Sequence, residues 1–369
     1  MRKMKIGMVG VGAISGIYLK NLHELFTEIE LVGICDLIPA RAAAAKEKYP
    51  TLVIYPDMDA LFADPQIDIV LNLTRPYEHF AVTRAALLAG KHVYSEKPLG
   101  ATLAEGETLV ALAREKGLQL GGAPDTFMGA GIQTCRKLID EDYIGDVIGG
   151  AAFMICRGHE SWHPDPAFYY QHGGGPMMDM GPYYLTALTQ LIGGVKAVTG
   201  VARTMLPQRV ITSQPHCGET INVDVPTYIA GILQFDNGAV GTIFTTFDVH
   251  YASQARLEIY GTKGTLLCPD PNTFGGPIRI LRPEQGEYME LPLLFDYREN
   301  SRALGLADMA KAMQTGRDAR ANVRQTFHVL EIMCKLHQSS EQGRTLPLQS
   351  HFDRVQPMRN NPLHGVLDA

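Results

Sequence analysis

The chain has 369 residues, of which 46% are hydrophobic and 20% charged, and a formal net charge of −6 at pH 7. This is globular composition, long enough for two domains and a core that needs no disulfide or metal support. The acidic balance offers no basic face for nucleic acid or an anionic lipid surface, and no run of about 18 uncharged apolar residues is present to span a membrane.

The N-terminus imitates a secretory signal, because Arg2, Lys3 and Lys5 precede an apolar run from Ile6 to Leu19. Gly7, Gly10, Gly12 and Gly16 interrupt that run too often for a helical signal core. The six cysteines (Cys35, Cys135, Cys156, Cys217, Cys268 and Cys334) form no C-x-x-C and read as reduced thiols. A cytoplasmic protein is expected.

"KIGMVG" (residues 5–10) reads as a short strand that stops at glycine. A glycine turn follows, Gly10-Val11-Gly12-Ala13-Ile14-Ser15-Gly16. The spacing of Ile17, Leu19, Leu22, Leu25 and Phe26 predicts a helix over 17–26. "IELVGICD" is a second strand, ending at Asp36. Strand, glycine turn, helix, strand and acid form the βαβ pattern that binds dinucleotides. Gly10 permits the tight turn, and Gly12 lets backbone approach the pyrophosphate. The helix N-terminus offers free N–H groups to the phosphates. Asp36 can accept hydrogen bonds from the ribose hydroxyls and would repel a 2′-phosphate, so NAD is favoured over NADP. Nearby Arg41 could partly offset that repulsion. Ser15 occupies the third glycine position, with Gly16 one residue late.

The alternation continues. Residues 67–74, "IDIVLNLT", read as a buried strand. A helix over 78–89 is closed by Gly90, and "KHVYSEKP" is the next strand. A helix over 102–116 stops at Gly117, and "LQLGGAP" gives one more strand. The expected fold is α/β: a dinucleotide-binding Rossmann domain over residues 1–124, then a second α/β domain over 125–369. The tail from His351 fits no regular element and is expected to pack on a neighbouring molecule.

"AGKHVYSEKPLGATLAE" (residues 89–105) is similar to the signature of the Gfo/Idh/MocA oxidoreductases, the relatives of glucose–fructose oxidoreductase and inositol dehydrogenase. "GVGAIS" (10–15), "GGGPMMDMGPYY" (173–184), "LEIYGTKGTL" (257–266) and the closing helical stretch 305–333 resemble the same family in the same order. The likeness spans about residues 4–348. It implies an NAD(P)-dependent enzyme that moves a hydride between nicotinamide and a carbinol or carbonyl of a sugar, cyclitol or related polyol. It also implies a large, mostly antiparallel sheet in the second domain, through which a homodimer or homotetramer forms. The cofactor residues implied are Gly10, Gly12, Ala13, Ile14, Asp36, Arg41, Thr74, His79, Glu96 and Lys97. The catalytic residues implied are Lys97, Asp179 and Tyr183. Two other readings use the same fold: an enzyme that recycles bound NAD during glycoside cleavage or epimerisation, and a non-catalytic nucleotide-sensing regulator.

Hydride transfer from a carbinol also requires the hydroxyl proton to leave, so a base is needed. Lys97 lies just past a strand, where ligands gather, and desolvation would lower its pKa. The alternative is a solvated surface lysine. Asp179 and Tyr183 are four apart and share a face if a helix begins there. Many family members carry histidine where Tyr183 stands. The alternative for Tyr183 is a half-buried ring with a satisfied hydroxyl. Asp125 either meets a neutral hydroxylated substrate or, with Thr126, caps a helix.

"GHESWHPDP" (158–166) contains H-E-x-x-H, the helical zinc-protease pattern. Pro164 pushes His163 out of the α region, and Pro166 discourages a helix further, so no metal site is expected. The segment reads as a loop in which His159, Trp162 and His163 either contact substrate or serve only the loop. His163 is the one expected to point inward.

Overall fold

The computed structural model describes residues 2–360 and 364–368. Its first part alternates strands and helices: β1 (Met4–Val9), α1 (Ser15–Glu24), β2 (Ile29–Cys35), α2 (Pro39–Lys48), β3 (Val53–Ile54), α3 (Met58–Ala63), β4 (Ile69–Asn72), α4 (His79–Leu88), β5 (His92–Ser95), α5 (Leu103–Lys116) and β6 (Leu120–Gly122). The strands form a parallel sheet in the order β3-β2-β1-β4-β5-β6. Ile6, Met8, Ile69, Val70, Leu71 and Val93 are fully buried, because helices cover both faces. Helix α5 starts at a capping box: Thr102 accepts from the Glu105 N–H, and Glu105 accepts from the Thr102 N–H. Gly117 ends it in the left-handed region. The carboxyl ends of β1, β2, β4 and β5 thus bring Gly10, Asp36, Thr74 and Lys97 to one edge of the sheet.

The chain continues through α6 (Ala130–Asp140), β7 (Val147–Ile155), α7 (Pro176–Leu191), β8 (Val195–Arg203), β9 (Gln208–Val210), β10 (Thr220–Asn222), β11 (Tyr228–Phe235), β12 (Val240–Thr246), β13 (Leu257–Gly261), β14 (Gly264–Cys268), β15 (Ile278–Leu281), β16 (Met289–Leu291), α8 (Leu304–Thr315), α9 (Val323–Gln342) and β17 (Leu346–Pro347). Nine strands form one sheet, ordered β16-β15-β14-β13-β7-β12-β11-β8-β17. All neighbours are antiparallel except β7 and β12. Helix α9 lies close on one face because Gly200 and Gly231 have no side chain there: a Cβ would stand 2.4 Å from the Leu336 carbonyl oxygen and 2.5 Å from its Cδ2 respectively. The other face carries Val201, Tyr228, Ile232, Val240 and Phe244, with Val201, Ile232 and Val240 exposed. Among the described residues no helix is long and apolar enough to cross a membrane.

The described part of the tail packs on its own chain. Phe352, Met358 and Leu367 are buried. Arg320 holds Asp308 of α8 and Asp368 of the tail together, and the Leu367 N–H donates to Glu28 Oε1. Apolar residues spaced through the tail anchor it, with no helix or strand among its described residues.

His328 of α9 is fully buried, accepts from the Val195 N–H at 3.0 Å and meets Ser350 Oγ at 2.7 Å. Burial pushes its pKa down to about 4, since charging it would strip an imidazolium of water. A histidine that stays neutral when folded but charges when unfolded favours folding above its unfolded pKa. That advantage disappears as pH falls from about 6.5 to about 4, and at the lower end it amounts to a loss on the order of 3 kcal/mol. Thermal melts across this window should show the drop, and His328→Gln should flatten it.

Candidate active site

Gly10 has φ +94°, and a Cβ there would lie 2.8 Å from the Leu73 carbonyl. Only glycine fits this turn. The Gly10 N–H reaches the Cys35 carbonyl, and the Val11 N–H donates to Asp36 Oδ2 at 2.6 Å. Asp36 Oδ1 accepts from the Ile38 N–H, with Arg41 Nη1 3.9 Å away. At Gly12 a Cβ would meet nothing within 4 Å. Ala13 and Ile14 are exposed, and α1 has no side-chain cap. Open space before a glycine, beside an uncapped helix N-terminus, fits a dinucleotide pyrophosphate.

At the end of β4, Thr74 Oγ1 donates to Asn72 Oδ1. His79 does not face the cofactor space. It is buried, and its two ring nitrogens lie 2.8 Å from the Pro98 carbonyl and 3.0 Å from the Thr74 carbonyl. It braces the loops after β4 and β5 against each other. Glu96 is likewise engaged: Oε1 accepts from the Tyr18 hydroxyl at 2.7 Å and Oε2 from the Lys97 N–H at 3.1 Å.

Lys97 Nζ donates to Asp179 Oδ1 at 2.8 Å and to the Asp179 carbonyl at 2.6 Å. Their side chains are 15% and 16% exposed. Burial alone would lower the lysine's pKa, as expected from desolvation, yet the pKa is raised. Burial is the largest single influence, but Asp179, Tyr183 and Glu96 together with the Asp179 hydrogen bond outweigh it and hold Lys97 as ammonium. In turn the ammonium holds Asp179 well below the usual carboxylate range, again against its burial. Asp179 and Tyr183 both lie on α7, which Gly173 and Gly175 enter with φ +81° and +89°. Lys97 Nζ sits 5.1 Å from the Tyr183 ring centre.

Sequence reasoning missed Arg302. Its Nη2 approaches the Tyr183 hydroxyl at 3.4 Å and donates to Asn272 Oδ1 at 2.8 Å. It lies more than a hundred residues from Tyr183 in a stretch with no motif, so nothing local marked it. Asp125 does not open onto this space. It is 1% exposed, Oδ2 accepts from the Gly305 N–H at 3.0 Å, and the short turn after it receives no side-chain cap. Burial pushes its pKa up to about 6.

The H-E-x-x-H segment makes one turn, with the His163 N–H on the His159 carbonyl at 3.1 Å, and does not form an α-helix. Glu160 is buried, taking Arg209 Nη1 at 2.6 Å and the Tyr170 hydroxyl at 2.6 Å. No group of three or more metal-ligating side chains exists among the described residues. His159, rather than His163, turns inward: its Nε2 lies 3.5 Å from Asp179 Oδ2. His163 Nδ1 instead accepts from the Asp165 N–H, its nearest donor along the chain. Trp162 is 61% exposed at the mouth of the loop.

Residues 4–122 match the family model described as "Oxidoreductase family, NAD-binding Rossmann fold", and residues 132–267 match the GFO/IDH/MocA C-terminal domain. The chain is 24% identical over 354 residues to D-glucoside 3-dehydrogenase of Escherichia coli, covering 94% of this chain and 97% of that one. It is 24% identical to myo-inositol 2-dehydrogenase of Thermotoga maritima over 77% of this chain and 80% of the relative. A solved structure of levoglucosan dehydrogenase with NADH and L-sorbose superposes with a TM-score of 0.79 at 20% identity, covering 94% of this chain and 99% of that one. Fold and matches define an NAD-binding oxidoreductase. The chain belongs to the Gfo/Idh/MocA family.

Proposed function

We propose that this enzyme oxidises a secondary hydroxyl of a sugar, cyclitol or related polyol with NAD, and that Lys97, Asp179 and Tyr183 are its catalytic residues. The observation that carries the reading is the Lys97–Asp179 pair under the Tyr183 ring, at the sheet edge that also holds the glycine turn. Bound NAD would supply the hydride acceptor. In this reading Lys97 stabilises the developing alkoxide as a fixed cation, Asp179 keeps it charged, and the Tyr183 hydroxyl passes on the proton. Asp36 receives the ribose hydroxyls, and Trp162 and His163 line the substrate entrance. The division at residues 124 and 125 separates cofactor handling from substrate handling, and the enzyme is cytoplasmic.

The test is NADH formation by absorbance, with NAD and NADP assayed separately over sugars, glycosides, cyclitols and sugar acids. NAD should be preferred, and Asp36→Ser should narrow the preference by about tenfold or more. Silence with every substrate, with nucleotide retained through purification, would overturn the dehydrogenase reading.

We also propose that the apolar outer face of the nine-stranded sheet is covered by a second copy of the chain. Tyr228 and Phe244 pack edge to face at 4.7 Å in the middle of it. Light scattering should give a dimer or tetramer, and Ile232→Glu with Val240→Glu should give a monomer.

A further inference from the structure

We propose that His159 is a positioning residue for the Lys97–Asp179 pair and takes up the proton that each turnover releases. The proposal rests on the dehydrogenase reading above. Among the described residues both ring nitrogens of His159 are buried without a hydrogen-bond partner. Leaving such groups unmade costs about 1–3 kcal/mol each, so an orphaned imidazole in a packed site calls for a reason. The reason lies 3.5 Å away: Asp179 Oδ2, the oxygen that Lys97 does not use. One carboxylate therefore stands between an ammonium and an imidazole.

The surroundings fit a ring that gains and loses charge. Tyr169 lies 3.9 Å from the His159 ring centre, Phe247 4.7 Å and Trp162 5.3 Å. Trp162 and Phe247 meet the imidazole edge to face and Tyr169 lies tilted against it, so the ring is fixed in place beside Asp179. The other charged groups of these elements are committed elsewhere: Glu160 and Asp248 both pair with Arg209, and Arg157 donates to His250. His163, on the same loop, faces the Tyr169 and Phe168 rings. Among the described residues Asp179 is the carboxylate paired with His159, and Lys97 is the competing cation.

The balance of the reaction leaves a place for this group. The carbinol loses hydrogen from carbon with its electron pair, loses H⁺ from oxygen, and becomes a carbonyl. The net product is one H⁺. Lys97 is already an ammonium, and Asp179 is held ionised, so neither can store it. The free ring nitrogens of His159 can accept H⁺, pair with Asp179 Oδ2, and release it past exposed Trp162 to water. A charged His159 would also weaken the hold of Asp179 on Lys97, which ties proton release to the charge of the catalytic pair.

His159→Gln keeps the size and a donor toward Asp179 but cannot carry charge. Expected are unchanged NAD affinity, a KM within about threefold, and kcat lowered by about 10–100-fold, partly restored by added imidazole. The pH–rate profile should lose one ionisation. As a second readout, NMR titration of the histidine rings in the cofactor-free protein should show one ring whose midpoint moves in Asp179→Asn. A loss confined to KM, with the pH profile intact, would make His159 only a substrate wall and overturn the proposal. An inert wild type would defeat the dehydrogenase reading instead. In that case the NMR titration alone decides, and no ring responding to Asp179→Asn overturns the positioning role.

Discussion

Lys97→Met is expected to lower kcat/KM by about 10³-fold while leaving NAD affinity near the wild-type value. Methionine keeps most of the apolar stem and removes the charge and the hydrogen bonds to Asp179. The nicotinamide side of the cleft keeps its shape, because His79 still braces the loop after β5 through the Pro98 carbonyl. The variant also strands the Asp179 carboxylate, 16% exposed, without its ammonium. Breaking such a pair destabilises by about 3–5 kcal/mol. Lys97→Met with Asp179→Asn should restore the melting temperature and not the activity. That combination separates chemistry from folding. The sign with pH is fixed by the depressed pKa of Asp179: its contribution is present above the unfolded carboxylate range and is lost as pH falls. The stability gap between wild type and the single variant should therefore close in acid.

Gly12→Val is expected to abolish NAD binding, by at least about 10²-fold, in a protein that melts like the wild type. A Cβ at Gly12 meets nothing within 4 Å, so the fold has no quarrel with it. The new isopropyl group stands instead where the pyrophosphate would approach the uncapped end of α1. Gly10→Ala makes the contrast. It forces a side chain into φ +94° and against the Leu73 carbonyl, and should lower stability as well as binding. Titration by intrinsic fluorescence and thermal melts on the two variants would check both halves.

Much of this was legible in the chain. The first βαβ unit announced itself because each part obeys a different local rule: an apolar run, a glycine turn, helical spacing and a terminal acid. Helix α5 was legible to within one residue because its capping box and stop glycine are sequence features. Helix α2 left no such trace, since its buried side is only Ala42 and Ala45 and carries too little apolar contrast to read as amphipathic. Strand β3 and helix α3 are too short to show a period.

The site was legible where residues are close in sequence or carry a motif, as with Lys97, Asp179 and Tyr183. It was illegible where tertiary partners decide the outcome. Lys97 alone suggests a lowered pKa, and the positions of Asp179, Tyr183 and Glu96 together reverse the sign. His163 seemed better directed by its prolines, yet the fold turns His159 toward Asp179 and gives His163 to its own loop. Asp125 reads as a helix cap or a contact to a hydroxylated substrate, but Gly305, 180 residues later, claims its carboxylate. Arg302 reaches Tyr183 from the far end of the chain for the same reason.

The most direct test of the central claim uses a substrate labelled with deuterium at the carbinol carbon. The account expects the label on C4 of free reduced nicotinamide, with a slower turnover than for the unlabelled substrate and labelling slowed by about 10³-fold in Lys97→Met. Conversion of the substrate with no label in free nucleotide would contradict it and point to a cofactor that never leaves the protein.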